Sequence, residues 1–323
     1  MIVCCGEALI DMIPSVDPEG GQVFRPHAGG AVFNTAIALG RLGIDSRFLS
    51  GISTDMFGQT LLDELHNSNV ITDLVMRSGR PTTLAFVGLE NGQASYVFYD
   101  ENTAGRMLFP DNLPRIPRTA KAMFFGGISL INEPAADFYL ALAPRESKKR
   151  VIVADPNIRA NFVTDEKRYR ARLDRLMACV DILKVSDEDL DWLVPGPLTQ
   201  IEKATALQEK GPALVVLTRG SGGACALFGF DMKIEVPVQK VEVADTVGAG
   251  DTFNAGVLAS LSESGLLDRA GIAAIGKADL TGALEFGARV AAITVSRPGA
   301  NPPWLSEVAT GAIAEKETVG QLS

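Results

Sequence analysis

From residue 122 onward the chain alternates short apolar runs with longer stretches of mixed apolar and charged residues. The runs at 122–125, 151–155, 181–184, 214–218 and 224–227 predict strands. Between most of them, 134–143, 165–179 and 198–210 predict helices. Strands apolar on both faces, spaced by helices, predict a parallel sheet covered on both sides. The N-terminal third is different. Residues 2–5 read as a short buried strand, and 8–13 continue extended, with Asp11 set among apolar neighbours. Residues 28–43 form a run of small residues that two glycines open and Gly43 closes, a start-and-stop pattern for one closely packed helix. A strand at 47–51 and a helix from 55 to 65 follow. Residues 82–90 and 94–99 are two β-rich runs with Asn91-Gly92 between them, a hairpin signal. A hairpin within an alternating chain reads as an insert. Near the C-terminus, 281–295 predicts a small, apolar helix packed against the sheet. The last dozen residues have no periodicity and are expected to lack fixed structure.

Behind a strand-like run at 240–244, and ahead of the apolar stretch 253–261, stands Asp245-Thr246-Val247-Gly248-Ala249-Gly250-Asp251-Thr252-Phe253. Strand, small residues and then helix make an anion site. The first amides of a helix have no partner, and the dipole places positive charge there. Asp251 in the same turn is unfavourable beside a polyphosphate unless it takes a proton. Such an arrangement suits phosphoryl transfer. By itself Gly-Ala-Gly-Asp is also compatible with a tight turn and a helix cap.

Ligands in parallel sheets bind at the carboxyl ends of the strands. Three polar motifs fall there: Asp155-Pro156-Asn157-Ile158-Arg159, Lys184-Val185-Ser186-Asp187-Glu188-Asp189, and Thr218-Arg219-Gly220-Ser221-Gly222-Gly223. Each alone fits a capped turn, and for the middle one that reading is favoured. Their convergence with the 248–251 turn points to an active site. Asp11 is either a strand-end residue facing water or a hydroxyl-binding carboxylate in a cleft.

Composition narrows the classes. The 323 residues are 46% hydrophobic and 21% charged, as in globular enzymes, and the formal net charge is −9. That balance argues against a nucleic-acid or anionic-membrane partner. No apolar run has the length of a membrane span, and the N-terminus lacks a basic leader, so a cytoplasmic location is expected. Four cysteines without paired spacing read as reduced thiols, and two histidines leave little for a histidine-based hydrolase. Residues 271–278 approach a P-loop but lack the Ser or Thr that would hold Mg²⁺. The 248–250 glycines lack the third glycine of a dinucleotide fingerprint.

The 245–253 run resembles the C-terminal signature of the ribokinase-like (PfkB) sugar kinases, Asp-Thr-x-Gly-Ala-Gly-Asp-x-Phe. Gly29-Gly30-Ala31-Val32-Phe33-Asn34-Thr35-Ala36 resembles their N-terminal signature. Within the family the likeness is greatest to bacterial fructokinases, through residues 4–12, 81–86, 99–104 and 295–303. The likeness spans roughly residues 1 to 305. It implies a ribokinase-like α/β fold in one domain, with a mostly parallel sheet and a β lid from about 10–28 and 82–104. It implies ATP-dependent phosphorylation of D-fructose, with Mg²⁺, and a homodimer formed through the lid.

By that resemblance Asp251 is the base, and the amides of Gly248, Ala249, Gly250 and Asp251 stabilise the moving phosphoryl group. Asp11, Gly29, Gly30, Asn34, Tyr96 and Phe98 surround the sugar, with Arg159 near the transferred phosphate. Lys184, Ser186, Thr218, Gly220 and Gly223 border the nucleotide. Two departures stand out. The family's Asn-x-x-Glu appears here as Ser186-Asp-Glu-Asp189, so Asp189 would meet Mg²⁺ through water. Asp245 and the backbone near Gly299 would form a monovalent-cation loop, but Pro303 replaces a hydroxyl found in some members, leaving K⁺ open. Acidic Asp100 and Glu101 at the lid edge favour a neutral sugar over a sugar acid such as 2-keto-3-deoxygluconate. A non-catalytic sugar-binding protein is the reading from another class.

Overall fold

A computed structural model describes residues 1–90, 93–229 and 232–310 of the chain, with the side chains of 89–96 outside the description. The first strands are β1 (Ile2–Cys5), β2 (Leu9–Val16), β3 (Gln22–Gly29), β4 (Ser46–Leu49), β5 (Gly51–Ser53), β6 (Val70–Ile71), β7 (Met76–Ser78), β8 (Leu84–Glu90) and β9 (Gln93–Tyr99). Then come β10 (Ala122–Gly126), β11 (Val151–Asp155), β12 (Ile182–Ser186), β13 (Leu214–Thr218), β14 (Ala224–Phe228) and β15 (Met232–Val236). The helices are α1 (Ala31–Arg41), α2 (Met56–Asn67), α3 (Ala135–Glu146), α4 (Glu166–Met177), α5 (Asp187–Leu193), α6 (Gln200–Gln208), α7 (Ala249–Glu263), α8 (Arg269–Ala273), α9 (Lys277–Val295) and α10 (Leu305–Thr310).

The large sheet runs β15-β14-β13-β12-β11-β10-β1-β4-β6. Its strands alternate side chains between two apolar layers, as the two-residue period of a strand requires. Ile2, Cys4, Phe124, Val153, Ile182 and Val216 pack with α1, α7 and α9 residues such as Leu39, Leu258 and Leu284. Val3, Cys5, Phe125, Ile152, Leu183 and Val215 pack with Leu140, Leu173 and Leu207 on the opposite side. The core strands therefore read as uninterrupted apolar runs because both faces are covered.

Two expectations are corrected, and a third is refined. The run at 224–227 is a strand, but β14 pairs antiparallel with β13, as does β15 with β14. Only residues 219–223 join β13 to β14, too few for a parallel crossover. Residues 240–244 alternate like a strand yet are irregular; no strand pairs with them, and the amides of Ala244 and Asp245 donate to Val295 O at the end of α9. The small-residue helix α9 packs most closely on α7 and also against the sheet, at β15, as its sequence predicts. A Cβ on Gly256 would stand 2.7 Å from Gly287 Cα, so two glycines let these helices touch backbone to backbone.

A second sheet runs β3-β2-β8-β9. The β8–β9 hairpin forms as its sequence predicts, while its turn, Asn91-Gly92, lies outside the described residues. β2 pairs antiparallel with β3 and parallel with β8. In this register Asp11 lies beside His27 and Ala85, and Ala85 beside Phe98. Asp11 and Phe98 thus share one face, turned toward the carboxyl ends of the large sheet. Phe98 meets Phe162, from the loop after β11, with ring centroids 4.4 Å apart. Phe24, Phe86 and Tyr99 stack edge to face on the other side. The C-terminal segment 311–323, expected to be unstructured, lies outside the described residues.

Candidate active site

The turn before α7 sets the geometry. Gly248 takes a left-handed conformation, φ 78°, which places it as the helix N-cap without strain. A Cβ there would also stand 2.8 Å from Ala300 Cβ. The amides of Gly250 and Asp251 open the helix and take no partner among the described residues, as expected of a helix start. Asp251, in the first turn of α7, is buried, and its Oδ2 accepts a 2.9 Å bond from Asn34 Nδ2 in the first turn of α1. Burial pushes its carboxyl up to about 7, with Asp155 and Glu7 adding to the rise and Asn34 and Lys184 opposing it. The two segments singled out by sequence, 217 residues apart, are joined by one hydrogen bond.

Beneath the turn lies a buried ion pair. Lys184 Nζ, from β12, donates 3.0 Å to Asp155 Oδ2 at the end of β11. Asn254, one turn into α7, donates 2.7 Å to the same oxygen. A Cβ on Gly250 would be 3.0 Å from Lys184 Nζ, so glycine leaves room for the ammonium directly below the helix start. Burial alone would lower the Lys184 pKa, but Asp155, Asp189 and Asp251 outweigh it and raise it. Lys184 is therefore a fixed positive charge.

These groups floor a cleft of about 260 Å³ lined also by Glu7, Leu9, Asp11, Gly30, Phe98, Gly127, Asn157, Arg159, Phe162 and residues 246–250. Among the described residues the carboxylate of Asp11 on β2 has no hydrogen-bond or ion-pair partner, and burial raises it to about 6. Gly29 leaves room for it, since a Cβ there would fall 2.3 Å from Asp11 Oδ2. Arg159 stands exposed at the mouth, bonded only to Ile158 O among the described residues. Glu7 ties the cleft together: Oε1 accepts from Ala31 N at the start of α1, and Oε2 from Ser129 N. Burial raises its pKa against those bonds.

Asp11, Gly30, Asn34, Phe98, Arg159, Lys184, Gly248, Ala249, Gly250 and Asp251 thus line one cleft. Ser186, Thr218, Gly220 and Gly223 do not line it; they lie at the ends of β12 and β13, the neighbouring strands. Gly223 is needed where it is, because a Cβ would stand 2.3 Å from Val236 O of β15. Ser186 and Asp189 form a capping box on α5, the reading favoured for that motif. Asp189 also accepts 2.7 Å from Ile158 N, fixing the loop that carries Arg159. Asp245 accepts from Val247 N and Gly299 N, joining the two segments of the expected cation loop. The side chain of Tyr96 lies outside the described residues. Asp100 faces neither solvent alone nor the cleft: it pairs with Arg106 at 2.7 Å, so the acidic lid edge is partly neutralised.

Glu7, Asp155 and Asn254 belong to the site and were not singled out for it from sequence. Asp155 opened one of the polar motifs, which was the available signal. Among the described residues no group of three or more His, Cys, Asp or Glu is arranged to hold a metal. No described helix is long and apolar enough to cross a membrane.

An unpartnered helix start, a buried carboxyl near neutrality and a fixed ammonium, set at the strand ends of an α/β sheet, are the parts that phosphoryl transfer requires. Residues 1–307 match the family model described as pfkB family carbohydrate kinase, and the chain belongs to that family. It is 50% identical over 276 residues to a fructokinase of Rhizobium leguminosarum bv. trifolii, covering 85% of this chain and 84% of that one. It is 33% identical over 314 residues to fructokinase-2 of Oryza sativa subsp. japonica, covering 94% and 90%. The solved fructokinase of Xylella fastidiosa with bound ATP superposes with a TM-score of 0.87 at 28% identity, covering 96% and 97%. The chain is thus a sugar kinase, transferring phosphate from ATP.

Proposed function

We propose that this chain phosphorylates D-fructose to fructose 6-phosphate by direct in-line transfer from ATP, with Asp251 as the general base. The observation that carries the reading is Asp251 itself: a buried carboxyl held by Asn34 beside unpartnered helix amides. A base with a pKa near the working pH is the most effective. The sugar's primary hydroxyl gives its proton to Asp251 Oδ as its oxygen attacks the terminal phosphorus. The bond to the ADP oxygen breaks, and that electron pair leaves with ADP. The amides of residues 248–251 and the ammonium of Lys184 face the charge that spreads over the moving group. Arg159 at the mouth is free to meet the same phosphate.

The fructose reading rests on the fructokinases among the chain's relatives and on cleft charge. Asp11 is an unpartnered acceptor, suited to sugar hydroxyls. Beside it the carboxylate of a ketodeoxygluconate would be repelled. The small sheet acts as a lid over the sugar, and Phe98 against Phe162 closes its edge. ATP lies across Ser186, Thr218 and Gly220–Gly223. Asp189, with each oxygen on one amide, retains lone pairs that would hold Mg²⁺ through a bridging water, and the bound ion would supply charge neutralisation on the ATP phosphates. A K⁺ ion would join the segments that Asp245 already ties. The outer lid face, with Phe24, Val97 and Tyr99 exposed, would pair two copies in a dimer.

An ADP-release assay with Mg²⁺-ATP against fructose, glucose, ribose, ketodeoxygluconate and fructose 6-phosphate tests the substrate. Selective turnover of fructose supports the reading. Equal turnover of ketodeoxygluconate removes the charge argument, and no turnover with any sugar removes the assignment.

A further inference from the structure

The opposite end of the large sheet carries a second cleft, of about 510 Å³. It lies between the extended segment 113–118 and the end of α3, and Arg150 at its floor immediately precedes β11. Its lining includes Arg115, Arg118, Arg145, Lys149 and Arg150 against a single carboxylate, Glu146. The C-terminus of α3 adds roughly half a negative charge. The cluster stays strongly positive in a chain whose net charge is −9.

The pairing is uneven. Glu146 is buried and is engaged by both Arg145 and Arg150. Arg145 also donates to Pro114 O, and Arg150 to Ile116 O and Pro117 O, so these two guanidiniums fix the walls. Arg115, Arg118 and Lys149 have no protein partner among the described residues and are exposed. Arg150 is 5% exposed, and its Nε finds no acceptor. Its guanidinium nitrogens are held by Glu146 and the 116–117 carbonyls, so Arg150 acts as a fixed charge behind the lining rather than as a donor to a ligand. Three unpaired cations around it repel one another until an anion arrives.

We propose that this cleft binds a phosphate-bearing small molecule, separate from the catalytic cleft. Guanidinium groups suit phosphate oxygens, which they can meet in pairs of hydrogen bonds. The volume falls within the range of about 300–1,000 Å³ typical of small-molecule sites and exceeds what a bare phosphate fills. The two sites stand at opposite ends of β11, roughly 16 Å apart for a strand of this length. Asp155, under the catalytic turn, is its last residue.

The test uses the whole enzyme with its catalytic cleft saturated by ADP. Calorimetric titration with inorganic phosphate, pyrophosphate and a hexose monophosphate is compared with chloride at equal ionic strength. We expect at least one phosphate compound to bind at a saturable site. The double variant Arg115→Glu/Arg118→Glu should weaken that binding at least tenfold while leaving sugar-kinase turnover and Tm unchanged. Both residues are exposed and outside the catalytic machinery. The proposal is overturned if none of the three compounds binds, if chloride reproduces the heat, or if the variant binds as well as the wild type. Intact turnover in the variant keeps any of these results separate from the kinase reading.

Discussion

Replacing Asp251 with Asn keeps shape and the Asn34 contact but removes the base. Loss of general-base catalysis costs about 10²–10⁴ in rate, or about 3–5 kcal/mol of transition-state stabilisation. The same substitution should stabilise the fold. The Asp251 carboxyl rises from 3.8 to about 7 on folding. Its neutral form is thus the one the folded state prefers. The folded protein therefore loses stability as pH rises from near 4, and the full cost is present above 7. At 1.36 kcal/mol per unit, three units amount to about 4 kcal/mol. An amide is never ionised, so the variant should be more stable than the wild type at pH 8 and equal to it below pH 4. Urea melts at both pH values read the stability, and ADP release across pH 5.5–9 reads the activity. In the wild type kcat/KM should fall about tenfold per pH unit below 7, as the base becomes protonated; the variant should be slow and lack that limb. Turnover within a few-fold of wild type would remove Asp251 as the base. A variant no more stable at pH 8 would refute the raised carboxyl.

Other substitutions probe the supports. Asn34→Ala removes a hydrogen bond to the ionised carboxylate, worth about 1.5–3 kcal/mol, so the acid limb should move up by about one to two pH units. Lys184→Met leaves Asp155 buried without its partner, a loss of about 3–5 kcal/mol. Adding Asp155→Asn should restore much of that stability in denaturant melts but not the turnover. Phe98→Ala breaks an aromatic pair worth about 0.5–1.5 kcal/mol; sugar KM should rise by up to about tenfold with Tm nearly unchanged. Gly256→Ala forces a methyl against the Gly287 backbone and should cost about 1–3 kcal/mol, with KM unaffected.

What the sequence made legible has a physical pattern. The turn at 248–251 and the helix start at 30–34 were readable because glycine at a helix start serves a purpose wherever it occurs. The strands β10 to β13 were readable because burial on both faces keeps them apolar except near their carboxyl ends, where Asp155, Lys184, Ser186 and Thr218 stand. β14 was found, but its direction was missed because the reading took strands and not the length of their connections. The run at 240–244 misled for the opposite reason. It has a strand's alternation, but a strand also needs a paired neighbour, and the amides of Ala244 and Asp245 go instead to Val295 O at the end of α9. Small residues rightly marked α9 as closely packed, but not that its nearest partner is another helix with a glycine of its own.

Glu7, Asp155 and Asn254 were hidden more deeply. Each sits in or beside an apolar run and forms its site contact with a residue far away in sequence. Asp155 meets Lys184 29 positions later and Asn254 99 positions later. Nothing local marks such a pair, because the attraction that offsets the cost of taking both charges out of water arises only once the fold brings them together. Lys184 drew attention as part of a capped turn and, by resemblance, as a neighbour of the nucleotide, and the cap proved real. Its ammonium points back beneath the neighbouring helix, where missing side-chain atoms at Gly250 make room. A motif therefore locates the amides that receive a phosphate. The buried charge that holds them positive becomes visible only when two strands and a helix end are brought together.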